Sequence, residues 1–204
     1  YLGTFADESL MCVPDERRAA GMREDKYCII GTPGWLLGQT YTIAGAFLMR
    51  VPSILIDGSA STPIDRVPAI IARNKATVLK AGSTFLRMIM GSSGVEQLLA
   101  KHDLSSLRLG MFCAEPVNEV VHTFAQKHLT QNYINCYWST EHGAIVWGRC
   151  MHNAQQTLLP DTKSWSLPWI AGEVMKEGAK GGWERAANGE QGEVVIKAHF
   201  PYQA

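Results

Sequence analysis

An α/β fold, with a parallel sheet flanked by helices, is the class this sequence predicts, and three observations predict it. Short apolar, β-branched runs alternate with longer segments of helical period. The order strand, helix, strand recurs, which implies parallel pairing. From Pro160 onward the texture changes to short β-rich runs separated by turn residues, so residues 1–159 read as the α/β portion and 160–204 as a smaller β-rich one.

The elements follow in chain order. Leu37 to Met49 carries apolar residues on more than one face and predicts a largely buried helix. Ser53 to Ile56 reads as a strand ending at Asp57-Gly58. Asp65 is placed to cap a helix with Pro68 in its first turn, running through Ile70 and Ile71 to Asn74, before the strand Thr77-Val78-Leu79. Ser83 is the next candidate cap, with Leu86, Met88, Ile89 and Met90 behind it; Gly91 and Gly94 then punctuate before a short helix, Val95 to Lys101. The strand Leu107 to Cys113 leads to a helix opened by Pro116, with Val117, Val120, Val121, Phe124 and Leu129 at three- and four-residue intervals, and then to the strand Tyr133 to Tyr137. In the last portion Pro168 to Val174 and Glu193 to Ile196 read as strands, with Asn188-Gly189 as a hairpin turn.

Composition narrows the function classes. Lys+Arg and Asp+Glu are 19 each, so the chain lacks the basic excess that phosphate-backbone binding needs, and nucleic acid is not an expected partner. Hydrophobic residues at 46% and charged ones at 19% are the balance of a folded chain, and 204 residues suffice for a real core. The longest apolar run, Tyr41 to Ile56, is broken by Arg50 and Pro52 and is too short to span a membrane. Tyr1 begins the chain without a signal-peptide pattern, and an excised interior segment is expected. The five cysteines are odd in number, widely spaced and without C-x-x-C, which points to a reducing, cytoplasmic compartment.

Two strand-exit loops carry the chemistry: Cys113-Ala114-Glu115-Pro116, and Asn135 to Gly143. Ligands of parallel sheets lie beyond the carboxyl ends of the strands, so both loops are expected to line one cleft. Ser139, Thr140, Glu141 and Gly143 form a set able to hold phosphate oxygens and a hard cation such as Mg2+, although the same residue types also make ordinary loops and caps.

Together with Gly34-Trp35-Leu36-Leu37-Gly38, these loops resemble the adenylate-forming (AMP-forming) acyl-CoA synthetases, most closely the acetyl-CoA and propionyl-CoA synthetase branch. The other landmarks are Asp25-Lys26-Tyr27, Lys101 to Leu109, Trp138 to Gly143 and Gly189 to Ile196, all in the family's order. The resemblance implies part of the large N-terminal domain of such an enzyme, with ATP, Mg2+ and CoA as cosubstrates and a small carboxylic acid as substrate. It implies that Ala114, Glu115 and Pro116 border the adenine and that Asn135, Cys136, Tyr137, Trp138, Ser139 and Thr140 enclose the rest of the nucleotide. Thr140 and Glu141 are the implied catalytic residues, Glu141 approaching Mg2+. Trp35, Leu36, Leu37, Cys113 and Trp138 match the acyl pocket, and Leu37 and Ser61 match positions near CoA. An indole that closes such a pocket rejects longer chains by overlap. The alternative for Trp35 and Trp138 is an ordinary core aromatic.

Ala114, Asn135 and Ser139 depart from the family's usual Gly, Asp and Gln, and Leu37 and Ser61 from its Thr and Asn. The stretch Trp165 to Ile170 resembles the fused propionyl-CoA synthase type that activates 3-hydroxypropionate. No phosphate loop ending in lysine, ribose-binding aspartate or C-terminal lid is present in the sequence, so these 204 residues are expected to be inactive alone, with the rest of the parent enzyme, including any fused domains, as partner. Two other classes are alternatives. One is a non-catalytic α/β interaction domain. The other is an amino-acid adenylation domain, which predicts an acidic pocket residue where Leu36, Leu37 and Cys113 stand. His142, Cys150 and His152 match no zinc spacing, His102, His122, His128 and His199 are expected to be solvated, and Cys113 to be an inert thiol.

Overall fold

The computed structural model describes residues 25–112, 115–141, 145–148, 165–166, 170–179 and 181–196. The expectations placed on Cys113, Ala114, His142, Gly143, Cys150, His152 and His199 lie outside these residues.

Five parallel strands form the central sheet: β1 (Tyr27–Ile29), β2 (Ser53–Ile54), β3 (Val78–Ala81), β4 (Leu109–Phe112) and β5 (Tyr133–Asn135), in the spatial order β2-β1-β3-β4-β5. Alternation along the strands sends successive residues to opposite faces. On one face Tyr27, Ile29, Val78, Met111 and Ile134 pack with Leu37, Tyr41 and Trp138. On the other, Cys28, Leu79, Ala81, Phe112 and Tyr133 meet the helices through Ile71, Leu86, Ile89 and Val121. Each such Leu or Ile removed from water contributes about 1.5–3 kcal/mol, so both helical layers are held mainly by these side chains.

Among the described residues, α2 (Arg66–Asn74), α3 (Ser83–Met90), α4 (Val95–Leu99) and α5 (Glu119–His128) cross between or flank the strands. The predicted helix is present but differently wound, as a π-helical segment Gly38–Gly45 running into α1 (Ala46–Met49), and it is not largely buried: Leu37 and Tyr41 lie in the core, whereas Ile43, Phe47 and Leu48 are exposed.

Several local expectations are corrected. Asp65 precedes α2 but makes no capping bond; its carboxylate lies 3.1 Å from His102 Nε2. Gly82, not Ser83, is the N-cap of α3. The cap of α5 is Asn118, whose side chain accepts from the Val121 N–H at 3.0 Å, so the helix opens after Pro116 rather than at it. The predicted strand Tyr133 to Tyr137 is two strands, since the chain leaves the parallel sheet after Asn135 and β6 (Tyr137–Trp138) pairs antiparallel with β7 (Ile145–Gly148), which pairs with β8 (Trp165–Ser166). In the last sheet β9 (Gly172–Glu177) is central, with β10 (Trp183–Arg185) and β11 (Glu193–Ile196) on either side. The hairpin is therefore at 178–182, where Gly181 and Gly182 take φ of +80° and +82°, and the Asn188-Gly189 turn joins strands that are not neighbours. His122 is wholly buried rather than solvated: its Nε2 donates to the Tyr133 carbonyl at 2.7 Å, which ties α5 to β5.

Two charged groups inside the fold have defined partners. Asp25 is buried just before β1, where it accepts from Arg108 Nε at 2.8 Å and from the Thr77 hydroxyl at 2.7 Å, joining the starts of three strands. Lys80, on β3, is 2% exposed, and its ammonium lies 3.2 Å from the centre of the Tyr41 ring.

Candidate functional site at the carboxyl edge of the sheet

Strand order places the topological switch at β1, which has β2 on one side and β3 on the other, and open α/β sheets form their crevice there. A cleft of about 840 Å3 opens where β1 and β2 end, between Ile29–Pro33 and Ile54–Gly58, with Trp35 in its wall. Thr42 reaches it from the π-helical segment, and its buried Oγ1 has no hydrogen-bond partner among the described residues.

The exits of β3, β4 and β5 continue the same edge. After β4, the Glu115 carboxylate turns toward the first turn of α3, where Oε2 accepts from the Thr84 backbone N–H at 2.7 Å, the Thr84 hydroxyl at 2.8 Å and the Ser83 hydroxyl at 2.9 Å. Arg87 Nη2 donates to the Pro116 carbonyl at 3.0 Å. Burial alone would push the Glu115 carboxyl up, but the bonds from Thr84 and Ser83 and the Arg87 charge outweigh it and hold the group below the usual carboxylate range. A Cβ on Gly82 would lie 2.7 Å from Glu115 Oε1, so the bare backbone there gives the carboxylate its room.

Asn135 ends β5 with its side chain 1% exposed, and neither amide atom has a hydrogen-bond partner among the described residues. A buried amide left so costs about 1–3 kcal/mol, the signature of a group that awaits a ligand or water. Cys136 is buried behind it, Tyr137 is half-buried and edge-on to Trp147 at 6.2 Å, and Ser139 is half-buried. Thr140 and Glu141 are exposed in the following turn.

The residues matched to the acyl pocket separate into two groups. Leu37 is wholly buried, and Trp138 packs edge-on against Tyr41 at 5.9 Å, with Leu36 against the same cluster. Trp138 Nε1 has no hydrogen-bond partner among the described residues. Trp35 is 43% exposed and faces the cleft at the β1 and β2 exits instead. Ser61 is half-buried in the loop after that cleft, its hydroxyl 3.3 Å from that of Ser59, while Leu37 lies in the core. Sequence reasoning missed Ser83, Thr84 and Arg87 as anchors of the β4 exit. It also missed Lys80, for which Val78-Leu79-Lys80-Ala81 gave a usable signal, a lysine at a core-facing position of a short strand.

The sequence profile of the AMP-binding enzymes matches residues 6–201 of the chain. This chain belongs to the AMP-binding enzyme family. Among similar members, the acetyl-coenzyme A synthetase of Chlorobaculum tepidum is 33% identical over 182 residues, which cover 87% of this chain and 26% of that protein. Acetyl-coenzyme A synthetase 2 of Candida albicans is 28% identical over 186 residues, 89% of this chain and 27% of that one. The chain thus spans about a quarter of the length of the curated relatives it matches. Of solved structures, an acyl-CoA synthetase of Brucella canis superposes with a TM-score of 0.73 at 23% identity, covering 90% of this chain and 32% of that one. The anthranilate CoA ligase AuaEII with anthranoyl-AMP gives 0.69 at 21% identity, over 88% and 33%. The parallel sheet with helices on its flanks and antiparallel strands at the C-terminal end is the N-terminal-domain fold of the adenylate-forming AMP-binding enzymes.

Proposed function

We propose that the full-length protein carrying this chain is an AMP-forming acyl-CoA synthetase for a short carboxylic acid such as acetate, propionate or 3-hydroxypropionate. The observation that carries this reading is the Asn135 amide: a buried donor and acceptor, without a partner among the described residues, at the strand exit where the family resemblance puts the nucleotide. The acetyl-CoA synthetase names of the relatives support the substrate class. The stretch Trp165 to Ile170 supports a fused propionyl-CoA synthase as parent.

A carboxylic acid with a pKa near 4 is ionised at neutral pH, so its attack on the α-phosphate of ATP needs no general base from the protein. The work left to the chain is orientation and exclusion of water. In this reading the backbone at Glu115 and Pro116 borders the adenine and Asn135 to Thr140 enclose the rest of the nucleotide, with Trp138 and Leu36 walling the acyl group. CoA, approaching past Ser61, displaces AMP. An exposed carboxylate beside a nucleotide suits a Mg2+ ion that takes its other ligands from phosphate and water, so Glu141 would hold it and the ion would offset phosphate charge.

The test is pyrophosphate release by the full-length protein with ATP, Mg2+, CoA and each of acetate, propionate, 3-hydroxypropionate and acrylate. Release with at least one acid, with formation of its CoA thioester, is the expected result. No release with any of them removes the synthetase reading.

A further inference from the structure

We propose that Glu115 is a positioning residue: its carboxylate latches the loop after β4 onto the first turn of α3, setting the loop's backbone against the nucleotide without touching the nucleotide itself. The inference rests on the reading that this edge of the sheet takes ATP. The family resemblance places Glu115 beside the adenine, but three donors already converge on its Oε2: the Thr84 N–H, the Thr84 hydroxyl and the Ser83 hydroxyl. Arg87 Nη2 holds the next carbonyl, that of Pro116, at 3.0 Å, and the single Ser83 hydroxyl proton is shared between that carbonyl, also at 3.0 Å, and the carboxylate. The loop is therefore gripped at two consecutive residues by one helical turn.

The sequence supports an anchored role. The residue before α3, Gly82, makes no side-chain capping bond, so the α3 terminus is left with unsatisfied N–H groups, and Glu115 satisfies that of Thr84 from 31 residues away. A carboxylate at a helix N-terminus is further favoured by the helix dipole. Charge-assisted bonds of this length are among the stronger ones, and redirecting Glu115 toward a bound adenine would forfeit them.

A thermodynamic cycle on ATP binding by the full-length protein decides the matter. If Glu115 acts through α3, Glu115→Ala and Thr84→Val each weaken ATP binding by about tenfold, and the double variant is no weaker than Glu115→Ala alone. The KM for ATP rises in step while that for the acid stays within about twofold. The inference is overturned if Thr84→Val leaves ATP binding unchanged while Glu115→Ala weakens it, if the two effects multiply, or if neither changes binding. Should Glu115→Ala fail to fold, Thr84→Val and Ser83→Ala leave the carboxylate in place; weaker ATP binding in either supports the latch, and unchanged binding in both sinks it. A wild type that binds ATP yet releases no pyrophosphate with any acid removes the synthetase reading alone, and the binding cycle still rules on Glu115. A wild type that does not bind ATP overturns both.

Discussion

At Cys28, burial on β1 pushes the thiol up to about 12, which leaves almost no thiolate at neutral pH. Alkylation of the native protein at about pH 8, mapped by mass spectrometry, is expected to spare Cys28 until the chain is unfolded. Lys80 and Tyr41 make a second test. The desolvated ammonium over the ring is worth about 2 kcal/mol, and the ring also fills core volume beside Trp138. Tyr41→Leu should therefore cost roughly 2–4 kcal/mol in urea denaturation. Glu115 makes a pH-dependent prediction. Its pKa in the fold lies below the ordinary 4.5, so the stability it confers is whole above that value and is lost as pH falls through the folded pKa. The stability gap between wild type and Glu115→Gln should hold steady from about pH 7 to about pH 5 and close below that. A gap that does not change with pH would contradict the assigned bonds. At this scale the sequence offered residue types but not partners. Asp65 and Ser83 have the chemistry of caps, and only the fold reveals that Asp65 faces His102, 37 residues on, and that Ser83 serves Glu115.

Among the elements, the strands were legible where a short apolar, β-branched run stands between helical patterns, as at Thr77-Val78-Leu79, and their ends were not, because a terminus depends on where a neighbour stops pairing. The break after Asn135 illustrates this. Tyr133 to Tyr137 reads as one strand when Tyr, Ile and Cys are allowed to carry Asn135, whereas in the fold it divides between two sheets and Trp138, just beyond, packs against Tyr41. Asp25 and Arg108 connect the first strand to the fourth. Asp25→Asn weakens the bonds to Arg108 and leaves the guanidinium without its carboxylate; because the Arg108 side chain is partly exposed, a loss of about 2–3 kcal/mol is expected, below the full figure for a buried pair. The denaturant midpoint of the variant checks it, and a shift under about 0.5 kcal/mol would assign the pair no structural weight.

Over the whole molecule, alternation of strand and helix was enough to read the parallel sheet, and short β-rich runs were enough to read the antiparallel strands at the C-terminal end. The strand order was not readable, since a period-2 pattern says which side chains face a core but not which strand lies beside which. The same limit applies to the site. Asn135 and Glu115 were singled out by family landmarks, whereas the anchoring turn of α3 became visible only in three dimensions. The C-terminal sheet yields a prediction at this scale. Both β10 and β11 pair with β9, so Val174→Pro, which removes an N–H from its central strand, should release both neighbours. Limited proteolysis is expected to cut within 178–192 while the five-stranded body stays intact; unchanged resistance would mean that the sheet does not depend on β9.

The Asp25–Arg108 bond also bears on synthesis of the chain. Its two ends are 83 residues apart, so at 5–20 residues per second the carboxylate leaves the ribosome about 4 to 17 s before the guanidinium that neutralises it. Until then the first strand has reason to remain hydrated, and the nascent sheet is expected to close only once the fourth strand arrives.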